Sequence, residues 1–201
     1  MSAVQVATPH GPARVDLRRV GEPRALLLLG HGAGGGVEAP DLVAATEAAS
    51  DAGVSVALVE QPYRVAGKRS QPAPAKLDAA WVAVAAEMVG GEFEGLPLIA
   101  GGRSAGARVA CRTASETGAA AVLCLAFPLH PPGKPEKARL DELEALKVPV
   151  LVVQGESDPF GMPPQGPNRT VVRVAGNHGL KKDLDGVAAA VRDWLPAAAR
   201  G

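Results

Sequence analysis

Leu96-Pro-Leu-Ile-Ala-Gly-Gly-Arg-Ser-Ala-Gly106 is an apolar run that ends in glycines and passes through one serine into helix-forming sequence. A run this short, Leu96 to Gly101, suits a strand covered on both faces, as in a parallel sheet. The stretch from Ala105 to Glu116 reads as a helix that stops near Gly118. The serine stands in Gly102-Arg103-Ser104-Ala105-Gly106, a G-x-S-x-G pattern between strand and helix. That spacing suits a tight turn which lifts a hydroxyl above the sheet edge, with glycines relieving the crowding on either side. A structural turn containing a serine is the plainer reading of the same letters.

The unit recurs on both sides. Upstream, Ala25 to Leu29 is a strand, Asp41 to Ala52 a helix stopped at Gly53, Val54 to Glu60 a strand and Leu77 to Val89 a helix. Downstream come a strand from Ala119 to Phe127, a helix from Glu136 to Leu146, strands from Val148 to Gln154 and Thr170 to Val174, and a helix from Leu184 to Leu195. The first 20 residues alternate apolar and polar around Pro9-His-Gly-Pro12, which predicts an N-terminal hairpin. Alternating strands and helices imply an α/β fold: a mostly parallel central sheet with helices on both faces. At 201 residues the chain is expected to be a single domain.

Composition narrows the partners. Lysine plus arginine and aspartate plus glutamate are 21 each, so no net field favours nucleic acid or an anionic membrane. The 24 glycines and 18 prolines make about a fifth of the chain, below the roughly 25–30% that marks disorder. Aromatic residues are only 3%, so Ala, Val and Leu must build the core. Cys111 and Cys124 sit in apolar stretches without a C-x-x-C spacing. They predict buried thiols, no zinc site and a cytoplasmic protein. The first ten residues lack a basic segment followed by an apolar core, so no signal peptide is expected. The longest apolar run, Ala119 to Phe127, is far short of the ~20 residues of a membrane span.

Ligands of such sheets bind outside the carboxyl ends of the strands. There the chain places His31-Gly-Ala-Gly-Gly-Gly36, Gln61-Pro-Tyr-Arg64, Ser104, Gly155-Glu-Ser-Asp158 and Ala175-Gly-Asn-His178. A serine hydroxyl becomes a nucleophile when a histidine takes its proton and a carboxylate orients that histidine. His178 and Asp158 are the candidates for base and acid; Glu156 is the local rival of Asp158, which lies farther out on its loop. The amides of Ala33 and Ala105, with Gly34 next, are the expected oxyanion donors. His31 is expected near the substrate, holding the glycine loop rather than taking protons. Tyr63 lines the pocket or anchors the Pro62 turn. Arg64, Lys68, Arg69 and Arg103 could receive a substrate carboxylate or phosphate; solvated surface charge accounts equally for the first three, and pairing with a neighbouring loop is the alternative for Arg103. Trp81 and Trp194 belong to helices and to the core.

These residues together resemble the compact α/β-hydrolase family, above all in Gly30-His-Gly-Ala-Gly-Gly35, Gly101-Gly-Arg-Ser-Ala-Gly106, Gln154-Gly-Glu-Ser-Asp-Pro-Phe160 and Gly176-Asn-His178. The likeness is nearest to a branch that includes bacterial hydrolases and the hydrolase-like domains of a chromatin-complex subunit and a testis-expressed protein. The chain is also similar to dienelactone hydrolases, from which it departs in having serine where they use cysteine. The resemblance spans about residues 24 to 195. It implies an α/β-hydrolase fold and a triad of Ser104, Asp158 and His178, in the chain order Ser, Asp, His. The expected activity is that of a serine hydrolase on a small ester or related acyl compound, with no metal or organic cofactor. The stretch from Pro128 to Lys147 leaves room for a minimal lid only. Two rivals use the same residues: a non-catalytic binding or scaffold protein, and a nicotinamide-dependent oxidoreductase reading Gly30-x-Gly32-x-x-Gly35 and Glu60 as a dinucleotide fingerprint.

Overall fold

Apolar runs without polar alternation become the inner strands. The computed structural model describes residues 2–200. Its strands are β1 Ser2–Val6, β2 Ala13–Arg18, β3 Leu26–Gly30, β4 Ser55–Glu60, β5 Leu98–Arg103, β6 Ala121–Leu125, β7 Val150–Gly155 and β8 Arg169–Val174. They form one sheet in the order β1-β2-β4-β3-β5-β6-β7-β8. The expected hairpin is present: β1 and β2 pair antiparallel, and β2 also runs antiparallel to β4. The six strands from β4 to β8 in that order pair in parallel.

Both faces of β3 to β7 are buried while the edge strand β8 is partly exposed, and the pleat divides each inner run between two cores. Leu26, Leu28, Ala100, Val122 and Val152 face α3 (Pro74–Val89), α4 (Ala105–Thr113) and α5 (Leu140–Glu144). Leu27, Leu29, Ile99, Leu123, Leu151 and Val153 face α1 (Pro40–Asp51) and α6 (Leu184–Ala198). Trp81 of α3 is fully buried, while Trp194 of α6 is half-buried against the second core. Cys111 and Cys124 are buried free thiols with their Sγ atoms 3.5 Å apart. No helix among the described residues is long and apolar enough to cross a membrane.

Several boundaries differ from the sequence expectation. The helix expected over Glu136–Leu146 is a 3₁₀ turn at Pro135–Lys137 followed by the short α5. Between them Arg139 donates its amide N–H to Leu129 O (2.7 Å) and its guanidinium to Pro128 O (2.9 Å), which turns the chain. Val148 then precedes Pro149, a position that disfavours helix. At the other end of the chain α6 runs through Pro196 to Ala198. A proline in the last turn gives up one backbone bond and little else. β6 is shorter than its apolar run, because Ala126 turns out of the ladder with φ 49° while Phe127 stays buried. A four-residue helix, α2 at Pro62–Val65, was not expected.

Candidate active site

The carboxyl ends of β3, β5, β7 and β8 meet above one part of the sheet. Gly30 of β3 lies opposite Gly102 of β5, and Gly106 of α4 packs over both. A Cβ at Gly106 would lie 2.4 Å from Gly30 O, and one at Gly102 would lie 2.6 Å from the same oxygen. The two glycines flanking the serine therefore let α4 start directly on top of β3. This forces Ser104 to φ 52°, a conformation that L-residues rarely adopt. Its amide is held by Leu125 O at 2.8 Å, and its side chain is left over the sheet edge.

His178 follows β8 in the loop before α6. Its ring lies between the serine and Asp158, with Nε2 2.8 Å from Ser104 Oγ and Nδ1 2.8 Å from Asp158 Oδ2. A carboxylate can only accept, so Nδ1 carries the hydrogen and Nε2 accepts the serine hydroxyl. The Asp158 side chain is 1% exposed. Its Oδ1 accepts the Phe160 amide (2.8 Å) and its Oδ2 also accepts Gln154 Nε2 (2.8 Å). Phe160 stacks on the imidazole with ring centroids 4.1 Å apart. Glu156, the rival acid, is exposed on the outside of the same loop.

The glycine loop sits beside the serine, and a Cβ at Gly32 would be 3.6 Å from Ser104 Cβ. Ala33 and Gly34 are exposed, and among the described residues neither amide N–H has a hydrogen-bond partner. Ala105 is the first residue of α4, where backbone N–H groups lack intrahelical acceptors. The Tyr63 hydroxyl lies 3.4 Å from Ala33 O. Tyr63 is itself 6% exposed and belongs to the core, so it braces the loop.

Two expected substrate contacts are corrected. His31 is 3% exposed and both ring nitrogens are engaged. Nδ1–H donates to Gly32 O (2.8 Å), and Nε2 accepts the Gln61 amide (3.1 Å). Burial pushes its pKa below the ordinary histidine value. It is a neutral strut under the glycine loop with no group left for a ligand. Arg103 is spent inside the chain as well: Nε donates to Asp41 Oδ2 and Nη2 to His178 O, both at 3.0 Å. Arg64 is half-buried on α2 with its Nε unpartnered among the described residues, and Lys68 and Arg69 are exposed.

Gln154, Phe160 and Asp41 were not singled out from the sequence. A glutamine closing the apolar run Val150-Leu-Val-Val-Gln154 was the available signal for the first. Asp41 sits in the first turn of α1, where an acid needs no further explanation than the helix dipole.

The dinucleotide pattern meets a geometric obstacle: α1 opens at Pro40, not at the third glycine of the motif, Gly35. The family model described as alpha/beta hydrolase domain matches residues 23–181. The chain belongs to the alpha/beta hydrolase family. Solved structures agree on the fold. A serine hydrolase without a lid from Xanthomonas campestris superposes with a TM-score of 0.79 at 19% identity, covering 98% of this chain and 94% of that one. Est1E from Butyrivibrio proteoclasticus with bound ferulic acid gives 0.82 at 18% identity, over 99% and 100% of the two chains. The dienelactone hydrolase of Anabaena variabilis gives 0.76 at 18%, over 98% and 96%. In this chain the connection from β6 to β7 holds only the 3₁₀ turn and α5.

Proposed function

We propose that the protein is a serine hydrolase acting on a small ester or related acyl compound. The observation that carries the reading is the unbroken hydrogen-bond chain from Ser104 Oγ through the His178 ring to Asp158, 2.8 Å at each link. In this reading Ser104 attacks the carbonyl carbon while its proton passes to His178 Nε2. The imidazolium is stabilised by Asp158, which stays ionised. The amides of Ala33 and Ala105, with Gly34 beside them, donate to the developing oxyanion, aided by the positive end of α4. His178 returns the proton to the leaving group, and water then attacks the acyl-enzyme by the same route. The sequence of steps uses side chains and backbone only and calls for no metal or organic cofactor.

The site stands on an open rim. The His178 side chain is 17% exposed and Ser104 is half-buried, which supports a small-molecule substrate reaching the serine from solvent. That ferulic acid binds Est1E and that another relative is a dienelactone hydrolase supports compact acyl compounds as the class to try first. Turnover of p-nitrophenyl acetate and butyrate tests the reading. Wild-type protein should hydrolyse them, and Ser104→Ala should lose at least about 10³-fold in kcat while unfolding at the same temperature. Ester turnover equal in wild type and Ser104→Ala, or absent from both across short acyl chains, overturns the proposal and leaves a binding protein on a hydrolase fold.

A further inference from the structure

One guanidinium joins three loops of the site. Arg103 immediately precedes the nucleophile turn. Its Nε donates to Asp41 Oδ2 in the first turn of α1, and its Nη2 donates to the backbone carbonyl of His178. A Cβ at Gly32 would lie 2.6 Å from its Nη1, so the third nitrogen lies against the oxyanion loop. The Asp41 side chain is 1% exposed and that of Arg103 19%, so the pair is largely removed from water. A carboxylate so buried stays charged only beside a cation. Burial pushes the Asp41 pKa up, and the charge and hydrogen bonds of Arg103 oppose that shift.

Ser104 and His178 stand on strand ends separated in the sheet by β6 and β7. The ring of His178 is held by Asp158 and Phe160, both from the loop after β7. Its backbone carbonyl is tied instead to the residue next to Ser104. The Arg103 bond is thus a direct brace across the gap between nucleophile and base. A planar fork suits it, because one nitrogen must reach the aspartate while another reaches the carbonyl. Lysine gathers its three donors on one nitrogen and cannot set separate nitrogens against the two partners.

We propose that Arg103, locked by Asp41, is a positioning residue that sets the distance from His178 to Ser104 and seats the oxyanion loop. The inference rests on the serine-hydrolase reading. Its test is steady-state hydrolysis of two p-nitrophenyl esters, one neutral and one bearing a carboxylate, by wild type and three variants. Arg103→Lys keeps a cation beside Asp41. The double variant Asp41→Asn with Arg103→Gln removes both charges and leaves no unpaired ion if Arg103→Lys should fold poorly. Arg112→Lys is the control, since Arg112 also forms a two-nitrogen ion pair, with the more exposed Asp78 and away from the triad. The expected result is a fall in kcat of about 10- to 100-fold for both Arg103 variants on both esters, with KM within about twofold and with Arg112→Lys near wild type. Wild-type kcat retained by the Arg103 variants overturns the inference while leaving the triad reading intact. A rise in KM confined to the carboxylate ester also overturns it and makes Arg103 a substrate receptor. An equal kcat loss in Arg112→Lys reduces Arg103 to one stabilising ion pair among others. A wild type without turnover removes both proposals.

Discussion

Ser104 is held at φ 52° by contacts that leave its neighbours no choice. Strain of this kind costs on the order of 1–3 kcal/mol and persists only where the surroundings over-determine it. Here the determinant is Gly106, whose Cα faces the Gly30 carbonyl so closely that an added methyl must move backbone. Gly106→Ala should therefore destabilise the chain by about 1–3 kcal/mol or more in urea unfolding, with α4 displaced from β3. An alanine variant as stable as wild type contradicts this packing. At this scale the motif was legible because G-x-S-x-G encodes a steric requirement in residue type. Asp41 was not, since its partner Arg103 lies 62 positions away, and Gln154 was not, since a lone glutamine does not say that it will bond Asp158 and Gly161 of the next loop together with the carbonyl of Phe127.

At the scale of elements, the loops of the site are fixed by buried polar groups rather than by their own sequences. The glycine loop after β3 rests on His31, whose ring bridges Gly32 O and the Gln61 amide. The histidine has a depressed pKa in the folded chain and an ordinary one, about 6.5, when unfolded. Below pH 6.5 the unfolded chain thus binds more protons than the folded chain. The stability present above that value is lost as pH falls toward the folded pKa, by up to about 1.4 kcal/mol per pH unit within the window. Comparing His31→Gln with wild type isolates this contribution. Asp41 titrates with the opposite sign, because burial raises its pKa, but it is common to both proteins. Wild type should lose more unfolding free energy between pH 7 and 5 than the variant does; equal losses contradict the strut. The strand-helix order was readable from apolar runs and glycine stops. The ends were less so, because burial outlasts the ladder at Phe127, and the region from Glu136 to Leu146 is turned by Arg139 through bonds that no local pattern announces.

Across the whole molecule, the hairpin extends one edge of the sheet and the short β6–β7 connection leaves the carboxyl ends of the strands uncovered. Residues 74 positions apart become hydrogen-bonded neighbours because β5 and β8 end on the same side. That convergence followed from α/β topology, which collects strand ends, and so the candidate triad could be named from the nucleophile motif, the strand-end positions of Asp158 and His178 and the family resemblance. What the linear pattern lacked was occupancy: it set His31 and Arg103 beside the ligand as well as giving them loop-holding and loop-pairing readings, and the folded chain spends both on the loops. The proposed hydrolysis requires that Ser104 be an activated nucleophile. The most direct measurement is peptide mass spectrometry of the native protein after treatment with a fluorophosphonate. A single phosphonyl adduct on Ser104 is expected, formed by wild type and lost in His178→Ala. A folded wild-type protein that carries no adduct, or carries it on another residue, rules out an activated Ser104.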